Sequence, residues 1–569
     1  MSRFVDPATL DVLDRLSRSS LARHEHEQEH IDVLELSPGY HDAQTPGEAG
    51  KTKLPVIDKR WLGLIVHSTV VGFVSSVLPL TVFPFLTSFL NMEGTQTLST
   101  RTLFAMPWVL RPFYGILIDC MPFASAFRQR LFLGLGWVIC AGALIGAHFV
   151  PKPDPYFRDR AYAGEPLAAL NATQQSTITK DAQSQGAIYI LLMTIATIGY
   201  VLADVAADML AKDVSRNYFP ALKEDEDCPL VISMTMKRYL AMLFSFLFMG
   251  VGMSGPDYGG DFGFTLDIST LMLIIGIISA LPILFAFTAI EERPRSRRST
   301  RTSFRNIWLL FNNRAVNYVI ACRFVGGIFG GISAIAGNPI ALYWAHVQPL
   351  NDNVVSFVAT GVVLLVLRLA DKRGWNINFR ITVIVATVII LILDCGATMF
   401  TIWNVVRSQW FWIGLPVMEA LPSSLDYVIL TIILSEIAEP GSEDLMRSLI
   451  TSVAFLAGPF GVSLTKYIDA QFDVTNQDIM SDTTTVRTHA TLVFLIAYVC
   501  QLLSLAWLLA LPRNGQEARE WKKRSGTSRG HAIVVILLLL ASFVWSITVH
   551  VLSVNQSTSC LEIAGGKGC

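Results

Sequence analysis

Thirteen apolar stretches, each close to the length needed to cross a bilayer, run through the chain between Trp61 and Val554. A helix rises about 1.5 Å per residue, so about 20 apolar residues cross the hydrocarbon layer. No soluble core calls for so many such segments. Only 16% of the residues are charged and 52% are hydrophobic, where a soluble domain carries about 25% charged. The sequence therefore predicts an all-α polytopic membrane protein.

The expected spans are 61–90, 97–118, 131–150, 187–209, 239–253, 266–290, 315–344, 353–370, 380–403, 409–435, 448–469, 489–511 and 532–554. The fifth is short and has room to begin near Val231; the seventh is long and glycine-rich, as a bent helix is. Lys and Arg crowd the loops that follow even-numbered spans. The loop after span six holds seven, and the loops after spans five and seven hold none. Basic loops stay cytoplasmic, so the N-terminus is expected in the cytoplasm and the C-terminus outside. The first span would act as an uncleaved signal anchor, and the plasma membrane is the default address. Two N-x-S/T sequons, at Asn171 and Asn555, fall on the external side. Asn171 is the better glycosylation site, since Asn555 adjoins the membrane. Cys560 and Cys569 share the external tail and are able to pair, or the tail is simply unstructured.

The expected organisation is a cytoplasmic tail (1–60), a six-helix half (61–290), a basic linker (291–314), a second six-helix half (315–511), a further linker (512–531), a thirteenth span (532–554) and an external tail (555–569). The basic linker carries Arg293, Arg295, Arg297, Arg298, Arg301 and Arg305 before an apolar run, a pattern attracted to anionic lipid headgroups. Ser296 and Ser299 within it are candidate phosphorylation switches. The halves echo one another. Span two ends at Asp119 with Arg128 in the next loop; span eight ends at Asp371 with Arg380 nine residues later. Duplicated halves around a shared cavity are a transporter architecture.

The run Arg111-Pro112-Phe113-Tyr114-Gly115-Ile116-Leu117-Ile118-Asp119 resembles the Lys/Arg-Pro-x-Tyr-Gly-x-x-x-Asp block of the folate-biopterin transporter family, within the major facilitator superfamily. The family commonly places Ser where this chain has Ile118. Ala203-Asp204-Val205-Ala206-Ala207-Asp208 is a second resemblance and Pro440-Gly441-Ser442-Glu443 a third. The resemblance implies a major-facilitator-like 6+6 bundle over residues 60–511, with the thirteenth helix outside it. It also implies proton-linked movement of folates, pterins or related anionic metabolites. Alternatives are a carrier for another organic anion or drug, and a nutrient receptor that binds without transporting. No enzyme activity, cofactor or nucleic-acid partner is expected; the partners are substrate, protons and lipid.

Several charged residues lie inside the apolar stretches, where an arginine costs at least about 2.5–3.5 kcal/mol. Arg111 and Arg323 are candidates for gripping a substrate carboxylate. The alternative is an interhelical ion pair or snorkelling. Tyr114 and Tyr427 are candidates for stacking on a flat ring, though helical aromatics usually pack. Asp204 and Asp208 are four apart and share a helix face. They would either handle protons or form a cytoplasmic latch with Arg128 or Arg130. Asp119, Asp371 and Arg380 complete the candidate latch. Asp426 and Asp394 are further candidates for proton coupling, and Glu419 also lies within a span. Gly337 and Pro339 are the candidate hinge. Gly326/Gly330 and Gly327/Gly331 have the spacing of close helix packing, as do Gly142/Gly146.

His26-Glu27-Gln28-Glu29-His30 spells the H-E-x-x-H of zinc proteases. It sits in a wholly polar tail that has no third ligand and no scaffold to bury a metal. It is read as a solvated tail, and no metal site is expected.

Overall fold

A computed structural model of the chain describes residues 60–121, 127–218, 229–292, 299–372, 378–437, 443–524 and 526–569. The H-E-x-x-H motif, Ser296 and the turn at Pro440 lie outside these. The side chains of Asp371 and Tyr427 also lie outside the description.

Among the described residues all regular structure is helical. The first span is Leu62–Leu80, continuing as a π-helical stretch, Val82–Phe89. The second is split at Leu110 into Gly94–Val109 and Arg111–Cys120. Pro112 causes the split, because it has no N–H to bond the carbonyl four residues back. The third to sixth are Arg128–His148, Ala182–Tyr218, Pro229–Gly252 and Ile268–Thr288. The linker forms a helix, Thr300–Asn312. The seventh is Arg314–Gly331 followed by Gly337–Tyr343. The eighth to thirteenth are Pro349–Lys372, Phe379–Ile402, Gln409–Ile437, Glu443–Asp469, Thr484–Leu508 and Arg529–Val554. By length and composition alone, 11 described helices qualify as spans. The seventh, broken and carrying Arg314 and Arg323, and the tenth, carrying Glu419, Asp426 and Glu436, complete the thirteen.

Packing repeats between the halves. The first helix lies against the fifth, and the third against the fourth and sixth. Correspondingly, the seventh lies against the eleventh, and the ninth against the tenth and twelfth. The halves meet where the second faces the eleventh and the fifth faces the eighth. This is the 6+6 bundle expected from the duplicated charges.

Glycines set the closest crossings. A Cβ on Gly199 would stand 2.5 Å from the Gly136 carbonyl, so the third and fourth helices touch backbone to backbone. Gly331 meets Gly458, and Gly327 meets Ala457, bringing the seventh helix onto the eleventh. Gly326 and Gly330 face Trp507 and Ser504 of the twelfth. Gly142 and Gly146 differ from the reading of their spacing. A Cβ on either would meet nothing within 4 Å, so they mediate no crossing, and the close contact of the third helix is made at Gly136.

The seventh span is interrupted at Ile332–Ala336, and Gly337 opens its second segment. The break thus precedes the expected hinge at Gly337 and Pro339 rather than lying within it. The eleventh helix explains its position. Ser333 N–H donates to Thr465 Oγ1 at 3.0 Å and Ile335 N–H donates to Asp469 Oδ2 at 2.8 Å. Unwound backbone at membrane depth persists only where such partners exist.

The thirteenth helix is not a loose appendage. It packs on the second and eleventh helices together, across one side of the seam between the halves. The fully buried Lys466 amine donates to Ser553 Oγ at 2.7 Å and lies 2.9 Å from His550 Nδ1; His550 Nε2 is 3.0 Å from the Pro459 carbonyl. Trp545 donates to Ser463 Oγ at 3.2 Å. Past the helix, Cys560 and Cys569 form a disulfide, and Lys567 pairs with Asp473. The polar ties run to the eleventh helix, whereas the second is met mainly by apolar packing, with one long bond from Gln96 to the Val554 carbonyl (3.5 Å). His550→Ala is therefore expected to cost about 1–3 kcal/mol, the penalty for stripping a partner from a buried polar group. Protease nicking between the twelfth and thirteenth helices should then release the thirteenth from the purified protein, while the intact His550 form retains it.

Candidate functional site

In the N-terminal half, the proline break in the second span makes Arg111 the first residue of a new helix. Its guanidinium pairs with Asp208 and lies 3.3 Å from Asp204 Oδ2, both on the fourth helix. Arg238 of the fifth helix also pairs with Asp204. His67 of the first helix completes the group, its Nε2 3.6 Å from Asp204 Oδ1 and its Nδ1 accepting a 2.9 Å bond from Trp137. Arg111 further stands over the Trp108 ring at 5.1 Å. Three helices thus converge on one carboxylate carried by a fourth, and the third helix joins through Trp137. Asp204 is fully buried and Arg238 nearly so. In so dry a place the network stands or falls as a unit.

The C-terminal half holds a simpler arrangement. Arg323 of the seventh helix grips Asp426 of the tenth with two bonds of 2.8 Å. First-with-fourth in one half and seventh-with-tenth in the other are equivalent helix pairs, so each half carries a polar contact between the corresponding helices. Their access differs. The side chains of Arg323 and Asp426 are 21% and 30% exposed, against 3% and 0% for Arg238 and Asp204. The C-terminal pair is partly exposed; Asp204 is not.

The remaining sequence candidates are dispersed. Tyr114 is half-buried against the apolar core. Asp394 is on the ninth helix beside Tyr498 of the twelfth. Arg128 donates to the carbonyls of Asp119 (2.9 Å) and Met121 (3.3 Å). Arg130 meets Glu292 at 3.4 Å and the Ile290 carbonyl at 3.2 Å. Arg380 donates to the Leu511 carbonyl. Asp204 is held by Arg111, Arg238 and His67, not by the Arg128 or Arg130 expected of a latch. The bonds given for Arg128, Arg130 and Arg380 fasten helix termini within their own half. Asn171 is exposed at the start of the short helix Ala172–Gln175.

A further polar cluster joins the halves at the end of the bundle opposite the linker helix. Asn338 donates to Thr97 Oγ1 at 3.1 Å, and Tyr343 pairs with Asn91. Asn476 Nδ2 donates to Asn91 Oδ1 at 2.9 Å, and Asn476 N–H donates to Glu93 Oε2 at 2.9 Å. Leu167 N–H reaches Gln477 Oε1 at 2.9 Å. Asn91 adopts a left-handed backbone (φ +53°), which turns its side chain and carbonyl toward Asn476. This end is sealed between the halves. His67, Arg238, Glu93 and Asn476 are the participants that sequence reasoning missed. Arg238 lies one residue before the 239–253 range of the fifth expected span, inside it only if that span begins near Val231, and His67 opens a short polar run, His67-Ser68-Thr69, within the first span.

A nucleoside transporter, a mutant of NupG, superposes with a TM-score of 0.51 at 11% identity, covering 79% of this chain and 98% of its own. A D-xylose-proton symporter does so with a TM-score of 0.51 at 12% identity, covering 80% and 98%. No curated protein matches the sequence. The fold is the one these two transporters share, a major-facilitator-like bundle. Residues 71–154 match the model of the BT1 family, the folate-biopterin transporter family. That stretch contains the Arg111–Asp119 block, so the resemblance read there is borne out.

Proposed function

We propose that the chain is a proton-coupled secondary carrier for folate, pterin or a related anionic metabolite, working by alternating access. The observation that carries this reading is the Arg323–Asp426 pair. It is a carboxylate already held in a bidentate grip, partly exposed, between the two helices that correspond to those of His67 and Asp204. A substrate carboxylate would compete with Asp426 for the Arg323 fork, and a proton on Asp426 would release that fork. Arg111 is engaged by two aspartates, which favours a positioning role for it. The sealed end would be external and the linker end cytoplasmic, at the plasma membrane, with Asn171 available to glycosylation.

The test is uptake by a folate-requiring cell expressing the chain, with labelled folate, a pterin and S-adenosylmethionine as probes. The expected result is accumulation of one of them above the external concentration, abolished by a protonophore. Binding without accumulation would favour a receptor. Accumulation insensitive to the protonophore would remove proton coupling.

A further inference from the structure

We propose that Glu93 is a proton-binding residue of the carrier, and that its protonation favours the state in which the far end is sealed. The proposal rests on the alternating-access reading above and names a residue outside the membrane-embedded charges. Glu93 sits immediately before the second span, in the short connection from the first. Its carboxylate crosses the seam between the halves to accept the Asn476 N–H at 2.9 Å. Its own N–H is satisfied by Gln96 Oε1 at 3.1 Å, which fixes the backbone that aims it. Opening this end must break the Asn476 contact and return the carboxylate to water. Sealing must strip that water away, with the Asn476 N–H as the replacement that crosses the seam.

The ionisable groups around Glu93 come from three directions. Asp478 lies on the helix Asn476–Ser481 that it meets. Tyr156 approaches from the loop between the third and fourth spans, and Tyr343 from the second segment of the seventh. Arg160 stands beyond Tyr343. The charge that acts on Glu93 from the facing helix is another carboxylate. Burial pushes the Glu93 carboxyl from 4.5 up to about 7; the Asn476 N–H opposes this and the Asp478 charge reinforces it. A group with a higher pKa in the sealed state than in water takes up a proton on sealing. Sealing is therefore favoured as pH falls through about 7, and the effect fades above it. With the open-state group near 4.5, the sealed-to-open ratio should rise about tenfold between pH 8 and pH 6. In a cell, a proton taken from the outside solution would drive the carrier toward its inward-facing form, the sense required for uptake.

Conformation, not transport, is the decisive readout. Nitroxides on Ala168→Cys and Thr484→Cys, both exposed at the far end and one in each half, report its opening in lipid nanodiscs. Other free thiols are replaced in this background. Two distance populations are expected, the shorter growing about tenfold relative to the longer from pH 8 to pH 6. Glu93→Gln should hold the short population at every pH. Asp478→Asn, which removes the facing charge, should move the midpoint to lower pH; it supplies the test should Glu93→Gln fail to fold. Two populations whose ratio ignores pH, or a pH response that survives in Glu93→Gln, would overturn the role of Glu93 and leave the carrier reading standing. A single population under all conditions, with probes of the uptake assay added, would overturn the carrier reading itself.

Discussion

Asp204→Ala is expected to destabilise the protein by about 3–5 kcal/mol, the cost of removing one partner from a buried ionic network. Asp204 binds Arg111, Arg238 and His67 at once. Taking the carboxylate away leaves Arg238, 2% exposed, beside an imidazole in a site that excludes water. Arg111 keeps Asp208, so the loss falls chiefly on the junction of the first, fourth and fifth helices. That junction is already tight: a Cβ on Gly72 would collide with the Arg238 carbonyl. The helices have little room to move apart and let water take the place of the lost carboxylate. Asp204→Asn keeps the size and a hydrogen-bond acceptor but not the charge, and should fall between wild type and Ala. Asp208→Ala, at a half-buried position with Arg111 still near Asp204, should cost roughly 1–2 kcal/mol. The measurement is the denaturant midpoint of the detergent-solubilised protein together with abundance in the membrane. An Asp204→Ala protein as stable as wild type would mean that the two guanidiniums are solvated, and the network would lose its structural role.

Much of this arrangement was legible in the sequence because it is local. Spans are runs of apolar residues, and the 6+6 division follows from charges repeated in matching loops. Asp204 and Asp208 share a face because they are four apart on a helix. Pro112 marks its own helix break. What was not legible depends on distant parts of the chain. The choice of Arg238 and His67 as partners for Asp204 is made by close helix crossings at Gly72, Gly136 and Gly199, whereas the equally regular Gly142/Gly146 spacing crosses nothing. The seventh span breaks before Pro339 rather than at it because Thr465 and Asp469, more than a hundred residues later, offer acceptors there. Glu93 looks like an ordinary loop carboxylate until Asn476, 383 positions away, is placed against it.

Arg323→Ala should reduce uptake at least about 100-fold, since the fork that would bind a carboxylate is gone and a buried hydrogen-bonded charge pair is worth several kcal/mol where it is used. Its effect on stability should be smaller than that of Asp204→Ala, about 1–3 kcal/mol, because Asp426 is 30% exposed and water can reach it. The double variant Arg323→Ala/Asp426→Ala separates the two effects. Removing both charges leaves no stranded ion, so stability should return to within about 1 kcal/mol of wild type. Uptake should not return, because the group proposed to hold the substrate is still absent. Arg323→Lys keeps the charge but loses the planar fork that matches Asp426 with two bonds of 2.8 Å, and should retain only a small fraction of activity. Asp426→Asn should bind substrate without needing a proton to release the fork, so its uptake should lose most of its dependence on external pH. These rates are to be compared at matched abundance in the membrane. A double variant that transports as well as wild type would show that Arg323 and Asp426 serve only each other, and the substrate's anionic group would have to be sought elsewhere in the bundle, first at Arg111.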